Sequence, residues 1–262
     1  PYIDQRLGRL HLAAEQPAAA IPHLWRVVAR SPGDLWARLS LANSLKRIGR
    51  TEEAKRQVRL LIMTPAERSR TRAAHLRSSA HELLGRIEAG AGDYRSALAS
   101  YRRAIEEEPE STSARTALAE ALAETGMLVE AAEEFARVIE ADPESARARY
   151  NYSVVLDRLR RPGDAYEHLL KGVDLDPTDP EIRNNLGYHL MSIGDMETAE
   201  QHFRLAIDLK PDYAQPHFNL ARVLKADGKH DEAEKHFRTA AALDPAFAEF
   251  LKASAKQGAE NR

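Results

Sequence analysis

Apolar residues recur along this chain three or four positions apart, the spacing of one face of a helix, and the stripes come in pairs. Residues 180–213, PEIRNNLGYHLMSIGDMETAEQHFRLAIDLKPDY, show the pattern most openly. Leu186, Gly187 and Leu190 share one face of a first helix that starts at Pro180, where the missing amide hydrogen costs nothing. Gly194 and Asp195 end it, and Ala199, Phe203 and Ala206, at i, i+4 and i+7, mark a second helix that stops before Pro211. The small residues let two backbones approach, and Phe203 fills the space between them. A single helical hairpin cannot cover such an apolar face, so neighbours must stack.

The pattern repeats. Pro109, Pro143, Pro177, Pro211 and Pro245 follow at intervals of 34, Ala97, Ala131, Ala165, Ala199 and Ala233 keep the same phase, and Ala20 and Ala54 add two more repeats. Gly49, Gly92, Gly126, Gly194 and Gly228 stand five residues before that alanine in five repeats, where the chain leaves the first helix and needs a permissive backbone. The expected repeats are 1–34, 35–68, 78–111, 112–145, 146–179, 180–213 and 214–247, with the second closing one residue early on Pro65. Residues 248–262 are expected to cap the array, Phe247, Phe250 and Leu251 sharing a face. Ala54 and Ala97 are 43 residues apart, and the excess, 69–77, reads as a lengthened first helix of the third repeat, longer by about 13 Å. Arg68, Arg70, Arg72 and Arg77 would decorate it. Leu7 and Gly8 come so soon after Pro1 that the sequence reads as a piece of a longer protein.

In these residues the chain resembles the tetratricopeptide repeat family, whose signature is a large residue, Leu-Gly, a further large residue, a mid-repeat Ala, an aromatic, a second Ala and a closing Pro. Counting from the first residue of each repeat, position 8 reads Gly8, Ala42, Gly85, Ala119, Ser153, Gly187 and Ala221, and position 24 reads Leu24, Val58, Tyr101, Phe135, Leu169, Phe203 and Phe237. Val138 and Gly172 depart from the second alanine. The resemblance implies an all-α fold, a right-handed solenoid of stacked antiparallel helix pairs, and a protein that holds other polypeptides rather than catalysing a reaction.

Charge changes the picture in one respect. The net charge is only −2, yet residues 1–77 carry 15 Lys and Arg against 6 Asp and Glu, leaving 23 against 34 in the remainder. A basic end raises nucleic acid as a partner, but solvated helix faces are the preferred account of it and nucleic acid is not the expected ligand. No apolar run is long enough for a membrane helix, so membrane insertion is not expected, and the compartment stays open with a soluble, cytoplasmic one favoured. No cysteine is present, which excludes disulfides, thiolate metal sites and a cysteine nucleophile.

If positions 7, 8 and 11 face the second helix, positions 2, 5, 6, 9, 12 and 13 line the other side of the first. Position 6 is Asn151, Asn185 and Asn219 in three successive repeats. Asparagine is a poor helix former with a donor and an acceptor, and three in register could pair with the backbone of an extended peptide. The ladder is similar to that lining the superhelix of protein O-GlcNAc transferases. Tyr150, Asn184, Tyr188, Phe218, Arg222 and Lys225 stand around it and complete the candidate peptide-binding groove, with Arg147, Asp157 and Arg158 nearby. The Lys and Asn pattern of chaperone-tail clamps in this family is not met, so such tails are not expected ligands.

Ten histidines invite a metal reading, and His168, His202 and His236 share position 23, but stacked helices lie roughly 8–10 Å apart while a zinc ligand needs about 2 Å. No metal, cofactor or catalytic residue is expected: His81-Glu82 lacks the second histidine of a zinc hydrolase motif, and no phosphate loop or nucleophile elbow occurs. The expected function is a scaffold binding an extended segment of a partner protein. The alternatives are the targeting arm of a larger enzyme, such as a glycosyl- or sulfotransferase, and nucleic-acid binding through the basic third. Self-association through a terminal repeat stays open.

Overall fold

A computed structural model describes residues 2–65, 70–249 and 251, and they divide into two compact units, residues 1–143 and 144–262. In the N-terminal unit the helices are α1 Tyr2–Ala13, α2 Pro17–Arg30, α3 Leu35–Arg47, α4 Thr51–Met63, α5 Arg70–Gly90, α6 Tyr94–Glu107, α7 Thr112–Glu124 and α8 Leu128–Ala141. In the C-terminal unit they are α9 Ala146–Arg158, α10 Pro162–Leu175, α11 Pro180–Ser192, α12 Met196–Leu209, α13 Ala214–Ala226 and α14 His230–Leu243, followed by a helical stretch over 245–249. Within each unit every odd-numbered helix pairs with the next, and successive pairs stack, α2 on α3, α4 on α5 and α6 on α7, then α10 on α11 and α12 on α13. No strand occurs among the described residues. The fold class is the all-α solenoid of helix pairs that the periodicity predicts.

Local chemistry sets the helix boundaries. Asp34, Asp93, Ser111, Ser145, Asp179 and Asp195 are N-caps whose side chains accept backbone amides two or three residues on, each stabilising its helix by about 1 kcal/mol. The turn between paired helices takes a left-handed residue: Gly49, Gly92, Gly126, Gly194 and Gly228 have φ of +77° to +91°. Glu15 and Arg160, at φ 55° and 61°, hold the same place in the first and fifth repeats. The turn geometry therefore persists where glycine does not, at the cost of a Cβ in the left-handed region. Arg160→Gly is expected to stabilise the C-terminal unit by about 0.5–1 kcal/mol, the relieved strain less the added freedom of the unfolded chain. Urea denaturation measures it, and a loss of stability would contradict this reading of the turn.

The core lies between paired helices. Position 24 is buried from the first repeat to the sixth, from Leu24 through Tyr101 and Phe135 to Phe203, against a small residue at position 8. A Cβ on Gly85 would sit 2.6 Å from the Tyr101 ring and one on Gly187 2.8 Å from Phe203, so these two glycines are there for close approach. Burial pushes the Tyr101 hydroxyl up to about 12. α5 has 21 residues where α3, α7, α9, α11 and α13 have 13. Of the arginines expected to decorate this extension, Arg77 turns inward and donates to the Thr64 carbonyl at 2.8 Å, tying α5 to the end of α4. Arg72 is exposed, and Arg68 lies outside the described residues.

Candidate functional site

The candidate groove lies on the first helices of the C-terminal unit, α9, α11 and α13. Its asparagines form a hydrogen-bonded chain rather than an open rail. Gln215 Nε2 donates to Asn219 Oδ1 at 3.4 Å, Asn219 Nδ2 to Asn184 Oδ1 at 3.0 Å, and Asn184 Nδ2 to Asn185 Oδ1 at 3.2 Å. The Asn185 side chain in turn bonds the Tyr150 hydroxyl. Asn219 is 1% exposed and Asn184 2%, whereas Asn151 and Asn185 are half-buried. Two of the predicted contact residues are thus spent in joining one repeat to the next.

Phe218 is also covered, at 8% exposure, its ring centroid 5.6 Å from that of Phe237 and 4.8 Å from that of Phe247. Phe247 supplies the expected cap, Leu251 lines the cleft beside it, and Phe250 lies outside the described residues. What remains open is position 9 and its surroundings: Val154, Tyr188 at 48% exposure, and Arg222, with Lys225 one turn on from Arg222. At the other edge the Arg147 guanidinium lies 4.9 Å over the Tyr150 ring and bonds Glu181 Oε2 at 2.6 Å. Burial, with Glu181 adding to it, raises the Tyr150 hydroxyl above its ordinary range. His189, buried, meets Asp157 Oδ2 at 2.8 Å and fixes α9 to α11 below the surface.

Between paired helices in both units the structure shows a pairing that the sequence reading missed. The side chain at position 4 of the first helix faces position 23 of the second: His23 on Asp4 at 3.0 Å, Arg38 on Gln57 at 3.0 Å, Arg115 on Glu134 at 2.9 Å and His217 on His236 at 2.9 Å. In the fifth and sixth repeats Arg149 and Arg183 act on His168 and His202. Position 4 also reaches the loop closing the preceding repeat. Arg38, Arg115 and Arg183 donate to the carbonyls of Pro32, Pro109 and Pro177 at 2.8, 2.8 and 2.6 Å, and His217 Nε2 meets Pro211 O at 3.1 Å. His168, His202 and His236 thus share the place that faces position 4 in three successive repeats. Among the described residues no cluster of three His, Asp or Glu could hold a metal ion.

Part of the basic third is engaged within its own fold. Arg26 and Arg30 bond Asp4 at 3.2 and 3.0 Å, Arg50 bonds Glu53 at 2.6 Å, Arg9 stacks 4.6 Å over Trp36, and Arg38 is buried. No described helix is long and apolar enough to cross a membrane.

Comparison with known proteins agrees with the repeat pattern. Tetratricopeptide repeat family models match residues 11–79 and 88–149, 130–180, and 179–246. No curated protein sequence matches. Similar solved structures include pilF of Pseudomonas aeruginosa, 19% identical with a TM-score of 0.70, over 87% of this chain and 99% of that one. MamA of Desulfovibrio magneticus RS-1 is 21% identical with a TM-score of 0.57, over 64% of this chain and 96% of that one. YrrB, described as a TPR protein with an unusual peptide-binding site, is 21% identical with a TM-score of 0.54, over 71% and 99%. At these identities the likeness is one of fold. With matched segments running from residue 11 to residue 246 and the helix pairs in register with them, the chain belongs to the tetratricopeptide repeat family.

Proposed function

We propose that this protein is an interaction scaffold whose C-terminal unit receives an extended segment of a partner protein across α9, α11 and α13. The observation that carries the reading is the open row at position 9, Val154, Tyr188 and Arg222, with Lys225 beside it, set on a layer of asparagines already bonded to one another. A layer whose amides are paired does not rearrange when a ligand arrives, so ordering costs little on binding. Large exposed aromatic and arginine groups on a rigid base are the residues that dominate interface energies. The half-buried Asn151 and Asn185 remain the members of the ladder that lie nearest the surface. That YrrB has a peptide-binding site is in keeping with this use of the fold.

Arg222 and Lys225 favour an acidic stretch in the partner. The variant Tyr188→Ala, Arg222→Glu, Lys225→Glu is expected to keep its fold, since all three side chains are exposed, and to bind the natural partner at least about tenfold more weakly. Unchanged affinity in a titration calorimeter would remove this face from the site.

A further inference from the structure

We propose that the position-23 histidines of the C-terminal unit, His168, His202 and His236, form an acid-sensitive latch that holds each first helix to its second only while the imidazoles are neutral. Each packs between the paired helices of its repeat. His168 on α10 meets the Tyr152 ring edge-on at 4.7 Å and lies in the field of Arg149 from α9, with Asp164 and Glu167 on its own helix. His202 on α12 faces Arg183 of α11. The Nδ1 atoms of His168 and His202 are buried without a hydrogen-bond partner. A lone pair in that position is tolerable, but an added N–H and a full charge beside an arginine are not.

The seventh repeat reaches the same dependence differently. His217 Nε2 donates to the Pro211 carbonyl at 3.1 Å, which leaves its Nδ1 as an acceptor, and His236 Nδ1 donates to it at 2.9 Å. That arrangement uses one donor and one acceptor and is complete with both rings neutral. Arg204 from α12 and Glu232 on α14 complete the charged surroundings of His236. Burial is the first cause holding all three imidazoles below the usual histidine range, with the facing Arg149, Arg183 or His217 acting in the same direction.

The sign follows from linkage. The unfolded chain takes up protons at about pH 6.5 and the folded one only lower, so the latch is complete above that pH and weakens as pH falls. Each imidazole raises the opening equilibrium by up to about tenfold per pH unit over the interval between the two pKa values. The N-terminal unit carries no such latch in the same phase: there position 23 is His23 on a carboxylate, Gln57, Ser100 and Glu134. The acid response of position 23 is therefore expected in the C-terminal unit. If a partner lies across α9, α11 and α13, which rests on the function proposed above, acidification releases it.

Hydrogen exchange on the free protein tests the latch independently of any partner. Exchange in α10, α12 and α14, corrected for intrinsic rates, is expected to speed up at least about tenfold from pH 7.5 to 5.5, with α4 and α8 nearly unchanged. The triple variant His168→Gln, His202→Gln, His236→Gln, which in the fifth and sixth repeats copies the natural pairing of Gln57 with Arg38, is expected to lose that acceleration. Should the triple variant not fold at pH 7.5, the three single variants serve, each removing the acceleration in its own repeat. Equal acceleration in the glutamine variants, or none in the parent protein, overturns the proposal.

Discussion

Replacing Phe203 by alanine is expected to destabilise the C-terminal unit by about 3–5 kcal/mol, the range for truncating a large buried side chain. Phe203 is fully buried, and its cluster includes Leu186, Leu190, Leu220 and Ala221 from the first helices on both sides of it. The ring fills the space left open by Gly187, so truncation leaves a cavity with glycine on one wall. Because repeats in an array are stabilised by their neighbours, the loss spreads through α11, α12 and α13 rather than staying local. Leu205, an exposed residue two positions on, is the control: Leu205→Ala should change stability by less than about 0.5 kcal/mol. Urea denaturation followed by circular dichroism reads both, and similar effects for the two would contradict the packing described.

Arg38→Ala carries the second large effect, about 3 kcal/mol, and it probes the position-4 pairing. Arg38 is 6% exposed, and its guanidinium satisfies two acceptors at once, Gln57 Oε1 at 3.0 Å and the Pro32 carbonyl at 2.8 Å. Burial depresses its basicity, so the residue sits there at an electrostatic cost that its two bonds offset. Alanine removes both bonds, strands the two oxygens and leaves a cavity. Arg38→Lys should recover little, because one ammonium cannot span both acceptors as a planar fork does. The double variant Arg38→Met, Gln57→Leu should be less damaging than Arg38→Ala alone, since one stranded acceptor is gone and the volume is refilled. A double variant worse than the single would show that the pair is not the source of the loss.

The repeat was legible because its causes are periodic. Proline at every thirty-fourth residue, a small residue opposite Phe203 or Tyr101, and glycine before the second helix each follow from a backbone or volume requirement that few residue types meet. The position-4 pairs were not legible, because their requirement is complementarity rather than type. Asp with His, Arg with Gln, Arg with Glu and His with His satisfy the same place, so the arginines recurring in one column and the histidines in the other do not show by themselves that the two columns meet. Reading positions 4 and 23 together would have found them. Glu15 and Arg160 were hidden for the opposite reason, since surrounding packing imposes a left-handed turn their side chains do not favour.

At the candidate site the sequence reading overstated the openness of the helices it named. Asn184, Asn219 and Phe218 fall on the surface when one helix is considered alone. Stacking converts the first two into a bond between α11 and α13, and Phe247 covers the third. Tyr188, Arg222 and Lys225 remain exposed, and on them the functional reading turns.

The most direct measurement is photo-crosslinking with a benzophenone amino acid placed at Tyr188 on α11 and, separately, at the comparably exposed Leu170 on the second-helix side at α10. A groove across the first helices predicts that position 188 crosslinks to one continuous stretch of a single partner, identified by mass spectrometry, and that position 170 does not. Crosslinks to that partner from position 170 alone, or equally from both, would contradict it.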